Sequence, residues 1–284
     1  MPGGVDLHCH TTCSDGTLRP RELVAEAVKR GVRVLAVTDH DSTDGLPEAI
    51  QAAREHPGLT IVPGIEINCD VEGAEIHILG YYMDYEAGWF QDFCRAQREE
   101  RRARVVRTAE RLAALGLPID VERVFALVQE GSAGRPHIAR VMLERGYVKT
   151  VREAFDKYLA AGKPAHVARK RLSPEDAVRL LRRAGGVPVF AHPGLSDRDA
   201  LIPALVRAGL MGIECYYSEH SPAQRGAYLD LCREHGLVAT GGSDFHGPSV
   251  RAGSLGHPTV PLAAWEALQA KAAEARAAAP GQPA

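Results

Sequence analysis

Short apolar runs that end in histidine or an acidic residue recur along the chain, and this feature constrains the fold most. Val5–Cys9, Val32–Thr38 and Leu59–Asn68 have the apolar content of buried strands, and Pro20–Arg30 has the spacing of an amphipathic helix. Alternation of strands with helices is typical of a barrel or an open parallel sheet. In a barrel, the carboxyl ends of the strands meet at one face, so we expect polar residues at these ends to converge.

The polar residues at the predicted strand ends form a pattern of metal ligands. Asp6, His8 and His10 lie on one side of the first strand because side chains two apart share a face, and two such imidazoles can chelate a divalent ion. Similar residues occur at the later strands: Asp39, His40, Asp41, Glu66, His77, His192, Asp244 and His246. Burial of so many polar groups is costly when they have no partner. The sequence therefore predicts one site that holds several metal ions.

The alternation of strands and helices is interrupted between residues 87 and 171, where there is almost no strand signal. Helices are predicted in this segment at Gln91–Leu115, Val121–Gln129, Pro136–Arg145 and Val151–Ala160. Beyond it, helices are predicted at Pro174–Arg183, Asp197–Ala208 and Pro222–His235. We therefore predict an α/β domain built from residues 1–86 and 172–270, a small helical insertion domain at 87–171 that caps the substrate, and an Ala-rich tail at 271–284.

Composition and charge exclude several classes of protein. Hydrophobic residues make up 45% of the chain and charged residues 25%, as in ordinary globular domains, which excludes a disordered or fibrous protein. The 34 basic and 36 acidic residues give a net charge of −2, so we expect no binding of long nucleic-acid duplexes. No stretch approaches the roughly 18 consecutive apolar residues of a membrane span, and the amino terminus lacks the features of a secretory signal. We therefore expect a cytoplasmic protein that does not contact membranes.

Seven short motifs, in this order and spacing, resemble those of the PHP (polymerase and histidinol phosphatase) family of metal-dependent phosphoesterases. They are DLHCH at 6–10, SDG at 14–16, TDHD at 38–41, GIE at 64–66, EIHILGY at 75–81, AHPG at 191–194 and GSDFHG at 242–247. The resemblance implies a distorted (β/α)7 barrel with a centre of two or three metal ions at the strand ends. In such a centre, water is activated to hydroxide near neutral pH and attacks phosphorus.

The resemblance also assigns nine ligands. One ion would be held by His8, His10, Glu66 and Asp244; a second by Glu66, His77 and His192; and a third by Asp15, His40 and His246. The residues expected to act in catalysis are Asp15, His40, Glu66, His192 and His246. Many relatives have histidine where this chain has Asp15, and a carboxylate favours Mn²⁺ or Mg²⁺ over Zn²⁺ at the third position. We expect Mn²⁺ as the main cofactor, with Zn²⁺, Fe²⁺ or Mg²⁺ as alternatives, and we expect Asp6 and Asp39 to orient histidines.

Candidate substrate contacts lie in the insertion and after a later strand. Arg135 and His137 lie in the segment 131–140 at the start of a predicted helix, where backbone N–H groups favour anions, so both are expected to bind phosphate. Arg140 and the basic run 169–171 are typical of a solvated surface instead. Tyr216 and His220 follow Glu214 and are further candidates for substrate contacts, although a packing role fits them almost equally well.

The GRPHIAR and ECYYSEH segments are similar to one branch of the family, the bacterial 3′,5′-nucleoside bisphosphate phosphatases and the ribonuclease AM-like 5′→3′ exoribonucleases. The resemblance implies removal of the 3′-phosphate from pAp-like nucleotides, or release of 5′ mononucleotides from short 5′-phosphorylated RNA. We expect no obligate protein partner, since the sequence gives no sign of one. Two alternatives keep the chemistry: a phosphatase of the histidinol-phosphate type and a DNA-processing nuclease of the family. A third, of another class, is a metal-binding module without catalytic activity.

Overall fold

Seven strands form one curved sheet within the part of the chain that the computed structural model describes, residues 4–72, 74–128, 132–168, 172–248 and 254–278. They follow one another around the sheet in chain order: β1 Gly4–Asp6, β2 Val32–Val37, β3 Thr60–Val71, β4 Ala74–Tyr81, β5 Val187–Phe190, β6 Gly212–Tyr217 and β7 Val238–Gly242. The backbone N–H of Leu7 donates to the carbonyl of Gly241 (3.1 Å), which brings the first and last strands together. The predicted barrel is therefore confirmed.

The barrel is distorted because β4 runs against both of its neighbours. β3 and β4 form a hairpin, so they are antiparallel, and β4 is also antiparallel to β5. The remaining neighbours in the sheet pair in parallel, each joined by a crossover connection. As a result, the carboxyl ends of six strands meet at one face, and β4 contributes to that face from its middle.

The helices lie outside the sheet and in the insertion. Among the described residues they are α1 Pro20–Lys29, α2 Leu46–Ala53, α3 Gly88–Ala114, α4 Val121–Ala126, α5 Arg135–Glu144, α6 Val151–Ala154, α7 Pro174–Arg183, α8 Pro193–Ser196, α9 Ile202–Ala208, α10 Pro222–His235 and α11 Leu262–Ala278. Alternate residues of β2 belong to two different apolar clusters. Leu35 and Val37 belong to the cluster that contains residues of α1 and α2, and Val34 and Ala36 belong to the cluster that contains residues of α11. Burial on both faces explains the continuous apolar runs of the strands.

Two helices have the bounds that the sequence predicts, because their starts carry strong local signals. Ser173 and Ser221 precede α7 and α10, and their side chains accept hydrogen bonds from the backbone N–H groups of Asp176 and Gln224. Each helix then begins with proline, which suits the first helical position.

Two other predicted helices are wrong in their bounds. The segment predicted as one helix at Val151–Ala160 divides into α6 and a π-helical turn at Phe155–Leu159. The helix predicted from Asp197 begins only at Ile202, because Asp197 has a left-handed backbone (φ 53°) and interrupts the chain after α8.

The insertion has an apolar cluster of its own, which includes Val105, Leu112, Val124, Ile138 and Met142. A separate cluster agrees with a separate unit, and the domain limits at 87 and 171 stay a prediction. The start of the 131–140 loop, the basic run 169–171 and the end of the tail (279–284) lie outside the described residues. Within the described ranges, no helix combines the length and apolar character that a bilayer crossing requires.

Candidate metal centre

All nine predicted ligands meet at the carboxyl-end face of the barrel, around the carboxylate of Glu66. They come from the ends of β1, β2, β5 and β7, from the middle of β3 and of β4, and from the loop after β1: His8, His10, Asp15, His40, Glu66, His77, His192, Asp244 and His246. The Oε2 atom of Glu66 lies 3.3 Å from Nε2 of His8 and 2.9 Å from Nδ1 of His40. Its Oε1 atom lies 2.7 Å from Nδ1 of His77 and 3.1 Å from Nε2 of His192.

Three groups in this cluster place one ligand atom of each member within 4.8 Å of one another. They are His8, His10, Glu66 and Asp244; His10, Asp15, His40 and His246; and His40, Glu66 and His77. The first has the membership expected for the first ion, and the second contains the set expected for the third. His192 was expected with Glu66 and His77, and its Nε2 lies 3.3 Å from Nδ1 of His77.

The donor atoms of this cluster fit divalent cations. Five buried side-chain atoms of the cluster have no hydrogen-bond partner among the residues described: Nε2 of His8, Nε2 of His10, Oδ1 of Asp15, Nδ1 of His40 and Oε2 of Glu66. Buried polar atoms are rarely left in this state, because it costs the full desolvation penalty of the group. Imidazole nitrogens and carboxylate oxygens are ligands that Mn²⁺, Fe²⁺ and Zn²⁺ accept. Bound cations would account for all five atoms.

Charges in the cluster shift the titration of its members. Burial alone would raise the pKa of Glu66, but the surrounding imidazoles of His40, His77 and His8 hold it well below its usual range. Burial lowers the pKa of His10, yet the nearby carboxylates of Asp244 and Glu66 prevail and raise it to about 9. Glu66 is therefore ionised at neutral pH and available to a cation.

Glu214 is a buried carboxylate of β6 and is not among the site residues predicted from the sequence. Its Oε1 atom lies 3.0 Å from Nδ1 of His8, and its Oε2 accepts a hydrogen bond from the backbone N–H of His192 (2.8 Å). A lone acid inside an otherwise apolar strand is costly unless it is paired, and this signal could have identified it. Glu214 leaves the opposite ring nitrogen of His8, Nε2, directed at Glu66 and Asp244.

The two acids expected to orient histidines act mainly on the backbone and on loops. Asp6 accepts hydrogen bonds from the backbone N–H groups of His8, Ser243 and Gly256, so it ties β1 to the segment after β7. Asp39 binds the loop that carries Asp15: it accepts hydrogen bonds from Thr11 and Ser14, and the Ser14 hydroxyl lies 3.4 Å from Nδ1 of His10. The expected contact with a histidine ring is therefore indirect for Asp39.

Arg135 faces a cavity, whereas His137 is buried. Arg135 lines a cavity of about 140 Å³ beside the metal-ligand cluster, which is also lined by Asp15, His40 and His77. His137 is buried, and its Nδ1 accepts a hydrogen bond from the backbone N–H of Gly134 at the start of α5 (3.1 Å). Burial lowers the pKa of His137 to about 4. The ring is therefore neutral at pH 7 and caps the amino-terminal end of α5, so it offers no positive charge to a phosphate.

Two further arginines, Arg101 and Arg104, line the same cavity and were not singled out from the sequence. Nε of Arg101 donates to Oδ2 of Asp41 (2.6 Å), and Nε of Arg104 donates to the carbonyl of Val167 (2.8 Å). Both guanidinium groups are almost fully buried, although they belong to a charged run that is typical of a solvated helix face. Their spacing of three on α3, next to the buried Val105, places them on the inner face and could have indicated it.

At the end of β6, the tyrosine that faces the metal-ligand cluster is Tyr217 and not the expected Tyr216. Tyr216 packs against the apolar clusters, and the hydroxyl of its neighbour Tyr217 donates to Oδ2 of Asp244 (3.1 Å). An irregularity in the pairing of β6 with β7 after Glu214 shifts the alternation of side chains, which explains the displacement by one residue. His220 accepts a hydrogen bond from the backbone N–H of Gly194 (3.2 Å), so it supports the loop after His192.

Comparison with known proteins agrees with this site. The model of the PHP domain matches residues 6–168, more than half of the chain. The 5′-3′ exoribonuclease Rnm of Salmonella typhimurium is 38% identical over 249 residues, 86% of this chain and 85% of that protein. The 3′,5′-nucleoside bisphosphate phosphatase of Chromobacterium violaceum is 34% identical over 277 residues, 94% of this chain and 97% of that protein.

A solved structure from Bifidobacterium adolescentis, to which metal-dependent phosphoesterase activity is attributed, is also similar. It superposes with a TM-score of 0.87 at 32% sequence identity, and the match covers 95% of this chain and 97% of the other. The strand-end ligands, the barrel and these similarities agree, and the chain belongs to the PHP domain family.

Proposed function

We propose that this protein is a metal-dependent phosphoesterase that removes the 3′-phosphate from nucleoside 3′,5′-bisphosphates and releases 5′ mononucleotides from short 5′-phosphorylated RNA. One observation carries the proposal: the metal-ligand cluster shares Asp15, His40 and His77 with a cavity lined by three arginines. Such a cleft has two places that attract anions, which suits a substrate with two phosphates.

The nine strand-end residues would hold two or three divalent ions, with Mn²⁺ as the expected main cofactor. The ions would neutralise charge on the phosphate oxygens. They would also lower the pKa of a bound water molecule to near neutrality. Glu66 would hold the surrounding histidines in place, since imidazoles contact both oxygens of its carboxylate. Glu214 would fix His8 from behind through the 3.0 Å contact with Nδ1.

The arginine cavity would hold the phosphate that does not react. Arg101, Arg104 and Arg135 bring three positive charges. Two carboxylates oppose them: that of Asp41, which pairs with Arg101, and that of Glu75, which contacts Arg104 and Arg135. Arginine binds phosphate with a fork of two N–H groups, so the remaining positive charge would favour a phosphate there. Binding of the remote phosphate would also orient the reacting one, which raises the rate of the chemical step.

The two proposed substrates undergo the same bond cleavage. Water attacks the phosphorus of the 3′-phosphate, the bond between phosphorus and the 3′ oxygen breaks, and the 3′ oxygen leaves as a hydroxyl. From a nucleoside bisphosphate the products are a 5′ mononucleotide and inorganic phosphate. From RNA they are a 5′ mononucleotide and a shorter RNA that again carries a 5′-phosphate, so the same site would accept it.

The test compares phosphate release from adenosine 3′,5′-bisphosphate and from adenosine 3′-phosphate by the Mn²⁺-loaded protein. We expect the bisphosphate to have the higher kcat/KM by about 100-fold, because hydrogen bonds between charged groups contribute about 1.5–3 kcal/mol each. Arg135→Gln should reduce this preference. Absence of release from the bisphosphate and from a 5′-phosphorylated oligoribonucleotide would refute the proposal, and preference for histidinol phosphate would favour the alternative phosphatase.

The metal and the compartment belong to the same proposal. Metal analysis of protein purified without added ions should find two or three divalent ions per chain, with Mn²⁺ dominant. A cytoplasmic location, where nucleotides and RNA fragments are produced, fits the substrates, and cell fractionation tests it. A metal-loaded protein that is inert towards phosphomonoesters and phosphodiesters would favour the non-catalytic binding module.

A further inference from the structure

A second cavity, of about 450 Å³, adjoins the arginine cavity. The two share three lining residues, Glu75, Arg135 and Phe155. The second cavity lies between the β3–β4 hairpin, the insertion and α8, which directly follows His192. A substrate whose remote phosphate contacts Arg135 would therefore have the second cavity within reach of its sugar.

Apolar side chains from two different parts of the chain line this second cavity. Phe155 begins the π-helical turn of the insertion, and Leu195 belongs to α8 of the barrel. Leu195 is 46% exposed, so its side chain is accessible to a ligand in the cavity. The guanidinium of Arg135 lies 5.5 Å from the centre of the Phe155 ring, so the phosphate-binding arginine and the aromatic ring form one continuous wall. π-Helical turns are frequent at functional sites.

The charges around the second cavity do not suit another phosphate. Among the described lining residues, Asp70, Glu72 and Glu75 contribute three carboxylates, and the basic groups are Arg135 and His166. Burial lowers the pKa of His166, which reduces its positive charge at neutral pH. A phosphate would be repelled by this balance of charges. A flat, uncharged ring would not be, and carboxylates can accept hydrogen bonds from the amino groups of bases.

We propose that the second cavity binds the nucleobase of the substrate, with its faces against Phe155 and Leu195. The inference rests on the proposed function for the positions of the two phosphates. It assigns the base to a site built jointly by the insertion and the barrel, so the insertion contributes to substrate selection as well as to phosphate binding. An RNA track through the same cavity is disfavoured, because the next phosphate would face the three carboxylates.

The experiment measures equilibrium binding of adenosine 5′-phosphate and of ribose 5-phosphate, which has the same phosphate and sugar but no base. Calorimetry on the Mn²⁺-loaded protein avoids turnover, because neither ligand carries a 3′-phosphate. We expect the wild-type protein to bind adenosine 5′-phosphate about 10-fold more tightly or better, since stacking on an aromatic side chain contributes about 1–3 kcal/mol per base. Equal affinities for the two ligands would overturn the proposal.

Two variants locate the effect. Phe155→Leu keeps an apolar side chain in the insertion but removes the aromatic face, and Leu195→Ala trims the opposite wall. Each should weaken binding of adenosine 5′-phosphate by about 5-fold or more and change binding of ribose 5-phosphate by less than about 2-fold. Leu143→Ala is the matched control, because Leu143 is 40% exposed and lies on α5 away from the cavity lining.

The outcomes separate the two proposals. A wild-type protein that prefers adenosine 5′-phosphate, but releases no phosphate from adenosine 3′,5′-bisphosphate, would retain the base cavity and refute the proposed function. A protein that releases phosphate, but whose two variants weaken both ligands equally, would keep the proposed function and refute the base cavity.

Discussion

At the scale of single residues, Glu214 determines how His8 faces the metal-ligand cluster. With Nδ1 of His8 bonded to Glu214 at 3.0 Å, the other ring nitrogen lies 3.3 Å from Oε2 of Glu66 and 3.4 Å from Oδ1 of Asp244. A carboxylate behind a metal-ligating imidazole fixes its orientation and makes it a stronger base. The same carboxylate accepts the backbone N–H of His192, so it positions two of the expected ligands.

Replacement of Glu214 should weaken metal binding without preventing folding. Glu214→Gln keeps an acceptor for His8 and removes the charge, and we expect about a 10-fold loss of Mn²⁺ affinity; Glu214→Ala should lose up to about 100-fold. Competition with a chelator measures both affinities. Glu234→Gln, at an exposed position on α10, is the control. If Glu214→Ala bound Mn²⁺ as tightly as the wild-type protein, the assigned role would be wrong.

The residues that could be predicted from the sequence are those with local signals. The ligands His8, His10, Asp244 and His246 stand in short motifs at strand ends, so their spacing alone indicates a shared face. Glu214 lies inside an apolar strand, and its partners are distant in the chain, so no local spacing connects it with the cluster. Long-range partners depend on packing, which single-sequence patterns do not contain.

At the scale of elements, α3 joins the insertion to the metal-ligand cluster through buried arginines. Arg101 donates to Asp41, which follows β2, and also to the side chain of Asn68 in β3. The amide of Asn68 lies 2.8 Å from Nε2 of His77, so α3 reaches an expected metal ligand through one intermediate residue. The prediction of a long helix here is correct, but the charged run by itself gave no indication that Arg101 and Arg104 are buried on the inner face of α3.

Loss of Arg101 should destabilise the protein strongly. Arg101→Gln would leave the buried carboxylate of Asp41 without its 2.6 Å ion pair, and removal of one partner of a buried pair costs about 3–5 kcal/mol. Urea denaturation measures the free energy of unfolding. Arg95→Gln is the control, because Arg95 is exposed and forms an ion pair with the exposed Asp92; it should change this free energy by less than about 1 kcal/mol. Equal effects of the two variants would contradict the structural role of Arg101.

The start of α5 should make stability depend on pH through His137. Its pKa of about 4 lies below the usual 6.5, so the unfolded chain takes up a proton first as the pH falls. The contribution of His137 to the free energy of unfolding is therefore complete above pH 6.5 and is lost as the pH falls towards 4. The loss between pH 7 and pH 5 is roughly 2 kcal/mol. His137→Gln keeps an acceptor for Gly134 but does not titrate. Urea denaturation at both pH values should show a smaller loss in this variant; an equal loss would exclude His137 as the cause.

At the scale of the whole molecule, the expected ligands bring together both parts of the barrel that flank the insertion. His8 and Glu66 precede the insertion, and His192 and Asp244 follow it, yet the four side chains meet in one cluster. Several buried ring nitrogens and carboxylate oxygens of this cluster have no hydrogen-bond partner among the described residues. Since metal ligands are assembled only in the folded chain, the free energy of metal binding adds to that of folding.

Metal loading should therefore stabilise the entire protein. At a free Mn²⁺ concentration about 100 times Kd, one site adds about 2.7 kcal/mol to the free energy of unfolding, which raises Tm by roughly 5–10 °C for a chain of this size. Thermal unfolding after chelation and after reloading with Mn²⁺ measures the shift. Glu66→Gln removes the negative charge at the centre of the cluster, so its Tm should respond to Mn²⁺ by less than half as much. A wild-type Tm that does not depend on Mn²⁺, or an equal response of Glu66→Gln, would show that the cluster around Glu66 does not hold the ions.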